Sequence, residues 1–156
     1  MSDIVATTFV KDTEEFVQLI EDYNAELFEL RVDSLNKFSV EDLINIADKL
    51  IVTIRDVKEG GLKEIPDDER LGMFDEFLRI EPAYIDIEYK SEILDDVLCK
   101  IERSGTKSIL SYHNFDETPD FKSLEELYYE MKNKNGDIIK IVTLCNSSTD
   151  NLNMFR

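Results

Sequence analysis

The chain has 156 residues, 42% of them hydrophobic and 10% aromatic, the balance of a single globular domain with material for one core. Lys and Arg total 18 against 35 Asp and Glu, and the resulting net charge of −17 repels phosphate backbones and anionic lipid, which argues against nucleic acid or a membrane surface as partner. There is no apolar run of membrane-spanning length, no basic signal-peptide start in Met1 to Val10, and no metal or disulfide pattern in Cys99, Cys145 and one histidine, so one cytoplasmic domain over 1–156 without a metal is expected.

The first predicted strand is "DIVATTF" (3–9). In "DTEEFVQLIEDYN" (12–24), Asp12 caps a helix with Glu15 three positions on, and Phe16, Leu19, Ile20 and Tyr23 share one face. "ELFELRVD" (26–33) is a second strand, and "SVEDLINIADK" repeats the helix design with Ser39 as cap and Val40, Leu43, Ile44 and Ala47 inward. The strand "KLIVTIRD" (49–56) leads into the longest connection, "EGGLKEIPDDER", where Gly60 and Gly61 are either the hinge of a mobile loop or a simple turn. Helices at 67–80 and 91–103 flank the strand "AYIDIEYK" (83–90), and "TKSILSYHN" (106–114) is the fifth strand. "TPDFKSLEELYYEM" reads as a helix capped by Thr118 with Pro119 at its first position and Phe121, Leu124, Leu127, Tyr128 and Met131 on its apolar face. "DIIKIVTLC" (137–145) is the sixth strand, and "SSTDNLNMFR" begins a further helix.

Most of these strands are continuously apolar, as strands covered on both faces are, and repeated βα units imply a parallel sheet with right-handed crossovers. Polar residues enter them at the carboxyl ends: Glu29, Arg31 and Asp33, then Arg55, Glu88 and His113, with Lys140 inside the sixth. In parallel βα folds those ends carry the site. Contributions from five successive strands favour the α/β (β/α)8 barrel plan over a doubly wound sheet, although only about six βα units are present.

Lys140 stands where hydrocarbon belongs, and an ammonium taken out of water must be paired or give up its proton. Asp86 or Glu88 could pair with it. Alternatively, a desolvated lysine flanked by cations becomes a neutral amine that condenses with a ketone to an iminium, an electron sink. Histidine can move the proton on the adjacent carbon, and arginines can hold a carboxylate, so a carboxylated ketone is the expected substrate. Against these stand structural readings: Arg31 and Arg55 salt-bridged to Asp33 and Asp56, Glu59 a solvated loop acid, and His113 a hydrogen-bonded rim residue.

"ELRVD" at 29–33, "TIRDVKEGG" at 53–61, "SYHNFDETP" at 111–119 and "IIKIVT" around Lys140 together resemble type I 3-dehydroquinate dehydratases. The resemblance implies a cofactor-free TIM barrel, usually a homodimer, that dehydrates 3-dehydroquinate to 3-dehydroshikimate in the shikimate pathway of aromatic amino acid biosynthesis. It further implies that Lys140 forms the Schiff base, that His113 is the general acid/base and that Glu59 orients it. Glu29, Arg31 and Arg55 would bind the substrate's hydroxyls and carboxylate, and Phe115 would line the site. On this view Lys140 is buried and uncharged.

The same resemblance expects strands seven and eight, with a further arginine and a closing loop, so the sequence reads as a truncated form of a chain of about 220 residues or as a natural fragment. An open sheet edge would then favour association or aggregation. Two alternatives remain: a class I aldolase or transaldolase-like barrel, which would want a glycine-rich phosphate cradle, and a noncatalytic fragment serving as an interaction module.

Overall fold

In a computed structural model that describes residues 4–154, six strands form one sheet: β1 Val5–Thr8, β2 Leu27–Arg31, β3 Leu50–Thr53, β4 Tyr84–Glu88, β5 Lys107–Asn114 and β6 Ile138–Thr143. Every neighbouring pair is parallel, and the spatial order is the chain order. A doubly wound sheet reverses its order at a switch point, so unbroken winding in one direction defines part of a (β/α) barrel. The edges of β1 and β6 are unpaired among the described residues, and the flanking apolar groups Ile4, Val5, Ile138, Val142 and Leu144 are exposed.

Behind the sheet lie α1 Thr13–Asp22, α2 Asp67–Leu78, α3 Leu94–Ile101, α4 Phe121–Lys132 and α5 Ser148–Met154. The core fills the space between these helices and the outer sheet face, with Phe16, Phe28, Leu30, Leu50, Val52, Phe74, Phe77, Ile85, Ile87 and Leu110 fully or nearly fully buried. Even-numbered residues of β2 and β3 and odd-numbered residues of β4 point there. The opposite face carries Glu29, Arg31, Thr53, Asp86, Glu88, Ser111 and Lys140.

Several local expectations are corrected. Residues Val40–Lys49 form a 3₁₀ rather than an α-helix. With three residues per turn, Val40, Leu43 and Ile46 align, so Ile46 packs on the core while Ile44 is exposed. Ser39 makes no capping bond there; its hydroxyl donates to Glu41. Asp12 does cap α1, accepting from the Glu15 amide, but the Glu15 carboxylate reaches back to the amide of Lys11, and Tyr23 leaves the helix and is exposed. Asp120, not Thr118, caps α4, because the Thr118 hydroxyl bonds Thr143 Oγ1 and the Leu144 carbonyl of the neighbouring strand end. Phe121 and Tyr128 also stay partly exposed.

The glycine pair is a built turn, not a hinge. Gly60 sits at φ +89 at the end of the 3₁₀ turn Val57–Glu59, and a Cβ there would come within 2.9 Å of the Phe115 ring. At Gly61 a Cβ would lie 2.1 Å from the Arg55 carbonyl oxygen. The chain beyond is tied down, with the Leu62 amide donating to Asp33 and Lys63 Nζ to the Leu35 carbonyl.

Candidate active site

On the inner face of the sheet, alternating charges run across the strand ends. Arg70, which enters from α2 and is 1% exposed, donates through Nη2 to Glu88 Oε2 at 2.5 Å. Glu88 Oε1 accepts from Arg55 Nη1 at 3.2 Å and from the Asp56 amide at 2.9 Å. Arg55 Nη2 donates to Asp86 Oδ1 at 2.8 Å, and its Nη1 to Ser111 Oγ at 2.6 Å, whose hydroxyl also reaches Asp86 Oδ1. Finally Lys140 Nζ donates to Asp86 Oδ2 at 3.0 Å, with Glu29 Oε1 3.8 Å away. Glu29 itself accepts from the hydroxyls of Thr7 and Thr53, both at 2.7 Å.

The register explains why these groups meet: Thr53 lies opposite Asp86, Glu88 opposite Ser111, and Ser111 opposite Lys140. Burial would push the Asp86 carboxyl up, but the charges of Arg55 and Lys140 and the hydrogen bonds from Ser111 and Lys140 hold it below the ordinary aspartate range. Burial would likewise pull the Arg55 guanidinium down, and Asp86 and Glu88 more than offset it.

Lys140 is less buried than expected. Its side chain is 36% exposed on the open sheet face, and its nearest charged partner is a carboxylate, not a cation. The pairing reading of Lys140, with Asp86 as partner, is the one the structure adopts. Arg55 pairs with Asp86 and Glu88 rather than Asp56, which lies 3.8 Å from Arg70 instead.

A second cluster stands one layer higher. His113 comes two residues after Ser111 on β5, which places it on the same face about 6.6 Å further along the strand. Glu59 is buried, and its Oε2 accepts from the His113 backbone amide at 2.9 Å and faces Nδ1 at 3.0 Å. It is not a solvated acid. Phe115 stacks on the imidazole with ring centroids 6.0 Å apart and covers Gly60.

Arg31 forms a bidentate pair with the fully buried Asp33 at 2.9 and 2.8 Å, donates to the Gly60 carbonyl and lies 5.1 Å from the Phe9 ring centre. Burial raises the Asp33 carboxyl, while bonds from Arg31, Leu62 and Arg55 carry it below the ordinary range. Thus Lys140, Glu29 and Arg55 are brought together through Asp86, His113 is joined to Glu59 and Phe115, and Arg31 stands apart on the turn.

Two cavities flank the row. One of about 520 Å³ lies in the sheet concavity, lined by Thr7, Glu29, Ile51, Asp86, Ile109 and Lys140 among others. Another of about 470 Å³ opens above it at Glu59, Glu88, His113 and Phe115. Among the described residues no group of three or more His, Cys, Asp or Glu side chains is placed to hold a metal ion. Arg70 and Ser111 are not among the residues singled out from sequence; an arginine interrupting the apolar pattern of "DDERLGMFDEF" was the available signal for the first.

Strands wound in sequence, with a lysine on the sixth and a histidine one layer higher on the fifth, both on the inner face, define part of a (β/α) barrel with a polar site inside its sheet. Residues 4–156 match the family model of type I 3-dehydroquinase. The 3-dehydroquinate dehydratase of Pyrococcus abyssi is 42% identical over 155 residues, covering 98% of this chain and 72% of that protein. That of Thermococcus gammatolerans is 36% identical over 153 residues with the same coverages. Among solved structures, the type I enzyme of Clostridium difficile superposes with a TM-score of 0.85 at 24% identity, covering 97% of this chain and 66% of that one. The Aquifex aeolicus enzyme gives 0.78 at 30% identity, covering 96% and 70%. The chain belongs to the type I 3-dehydroquinases.

Proposed function

We propose that this chain carries the imine-forming half of the 3-dehydroquinate dehydratase site, with Lys140 as nucleophile and His113 as general acid/base. Lys140 Nζ attacks the C3 ketone and expels water, giving an iminium. His113 takes a proton from C2, whose carbon–hydrogen bond the iminium acidifies, and the electron pair forms the C1–C2 double bond as the C1 hydroxyl accepts that proton back from His113 and leaves as water. Hydrolysis of the imine releases 3-dehydroshikimate and the free lysine.

The observation that carries this reading is the placement of Lys140 and His113 on one sheet face, a single layer apart, with His113 Nδ1 engaged by Glu59. That bond leaves Nε2 for proton transfer. Glu29, Arg31 and Arg55 are the groups assigned to substrate hydroxyls and carboxylate, and Phe115 closes the histidine side. No helix among the described residues is long and apolar enough to cross a membrane. A cytoplasmic single domain acting without a cofactor, as a homodimer, completes the reading.

Two measurements test it. Addition of 3-dehydroquinate raises the ultraviolet absorbance of the conjugated product, whereas sugar phosphates, the substrates an aldolase would take, have no effect. Borohydride reduction with 3-dehydroquinate present places the added mass on Lys140, and Lys140→Ala abolishes it. An adduct persisting in Lys140→Ala would refute the nucleophile assignment.

A further inference from the structure

We infer that Asp86 is the dedicated counter-ion of the nitrogen at position 140, pairing first with the ammonium and then with the iminium that replaces it. The inference rests on the imine reading and deepens it. Both forms of that nitrogen are cationic and both keep an N–H, so one fixed carboxylate can serve the whole cycle.

Asp86 meets the requirements of such a group. It is 1% exposed, so it cannot be rehydrated when the substrate arrives, and its two oxygens are divided between tasks. Oδ1 accepts from Arg55 and Ser111, which fix the carboxylate in place, and Oδ2 is turned to Lys140 at 3.0 Å. Arg55 is in turn braced by Glu88, and Glu88 by Arg70, so the carboxylate is held by a row of buried partners reaching to α2.

The other charged groups around Lys140 do not compete for the role. Glu29 on β2 is 3.8 Å away, beyond hydrogen-bond distance, and each of its oxygens accepts a threonine hydroxyl; Thr7 on β1 is one of those donors. Arg55 just beyond β3 and Glu88 on β4 act on Asp86 or on each other, and on β5 Ser111 bonds Asp86 while His113 is engaged by Glu59. A carboxylate at hydrogen-bond distance holds the lysine nitrogen until the substrate arrives and stabilises the iminium once formed.

Those two effects are separated by a probe that needs no substrate. Acetic anhydride acetylates neutral amines, and peptide mass spectrometry reads Lys140 beside the exposed Lys122 of the same chain. Held by Asp86 and less exposed, Lys140 is expected to react more slowly than Lys122. Asp86→Asn should raise the Lys140 rate about tenfold and leave Lys122 unchanged, while lowering the borohydride-trapped 3-dehydroquinate adduct; Asp86→Glu should restore both toward the unaltered chain.

Equal acetylation of the two lysines in the unaltered chain overturns the inference without any variant, so a misfolded Asp86→Asn does not shelter it. An adduct yield indifferent to Asp86→Asn overturns it as well. If the unaltered chain acetylates as expected but gives no adduct at all, the imine reading falls and the iminium role falls with it, while the lysine–aspartate pair stands.

Discussion

His113 is fixed at two points by a single Glu59 oxygen, which sets both the ring and the backbone that carries it. Removing the imidazole should therefore leave imine formation intact at Lys140 and block the proton abstraction from C2. His113→Ala is expected to give a borohydride adduct with 3-dehydroquinate while turnover falls about 10²–10⁴-fold, the usual worth of a general acid/base; loss of the adduct in a folded variant would give His113 a different role. The two residues were legible in the sequence, because a lysine inside an apolar strand and a histidine at a strand end both break the local pattern. What was not legible was their pairing. Asp86, which pairs with both Arg55 and Lys140, lies 31 residues from one and 54 from the other, and no local pattern reports such distances.

At the scale of elements, Arg70 is the tie between α2 and the ends of β3 and β4. Its guanidinium bonds the Ile54 carbonyl twice and Glu88 once, all in the buried interior. Arg70→Met removes one partner of a buried pair and leaves the other uncompensated, at a cost of about 3–5 kcal/mol measured by urea unfolding. A loss below about 1 kcal/mol would mean that Arg55 and the Asp56 amide alone satisfy Glu88. The strands were readable because continuous apolar runs have few other uses, and the βα alternation gave the parallel sheet. The 3₁₀ segment Val40–Lys49 was not, since periods of 3.0 and 3.6 share Val40 and Leu43 and part only at Ile44 against Ile46. The glycine pair was ambiguous for a related reason: the ring of Phe115, which crowds Gly60, follows a strand more than fifty residues on.

For the whole molecule, two buried aspartates are expected to shape the acid side of the stability curve. Asp33 and Asp86 both titrate below the ordinary value of about 3.9, so the folded state binds fewer protons than the unfolded chain in the window beneath it. Their contribution is fully present above about pH 4 and is lost as pH falls through the folded values, each group adding a slope of up to about 1.4 kcal/mol per pH unit. Asp33→Asn should lower stability at pH 7, because the Arg31 fork and two amides lose their anion, yet flatten the fall below pH 4. The measurement is urea unfolding across pH 2.5–7 at low protein concentration. Dilution matters because the net charge of −17 that keeps copies apart is titrated away over the same range, while the apolar edges at β1 and β6 remain exposed. A concentration-independent slope that disappears in Asp33→Asn assigns the acid sensitivity to the buried carboxylate. A slope that scales with concentration and survives the substitution assigns it to edge association, and the buried aspartates then do not govern the acid limit of this fold.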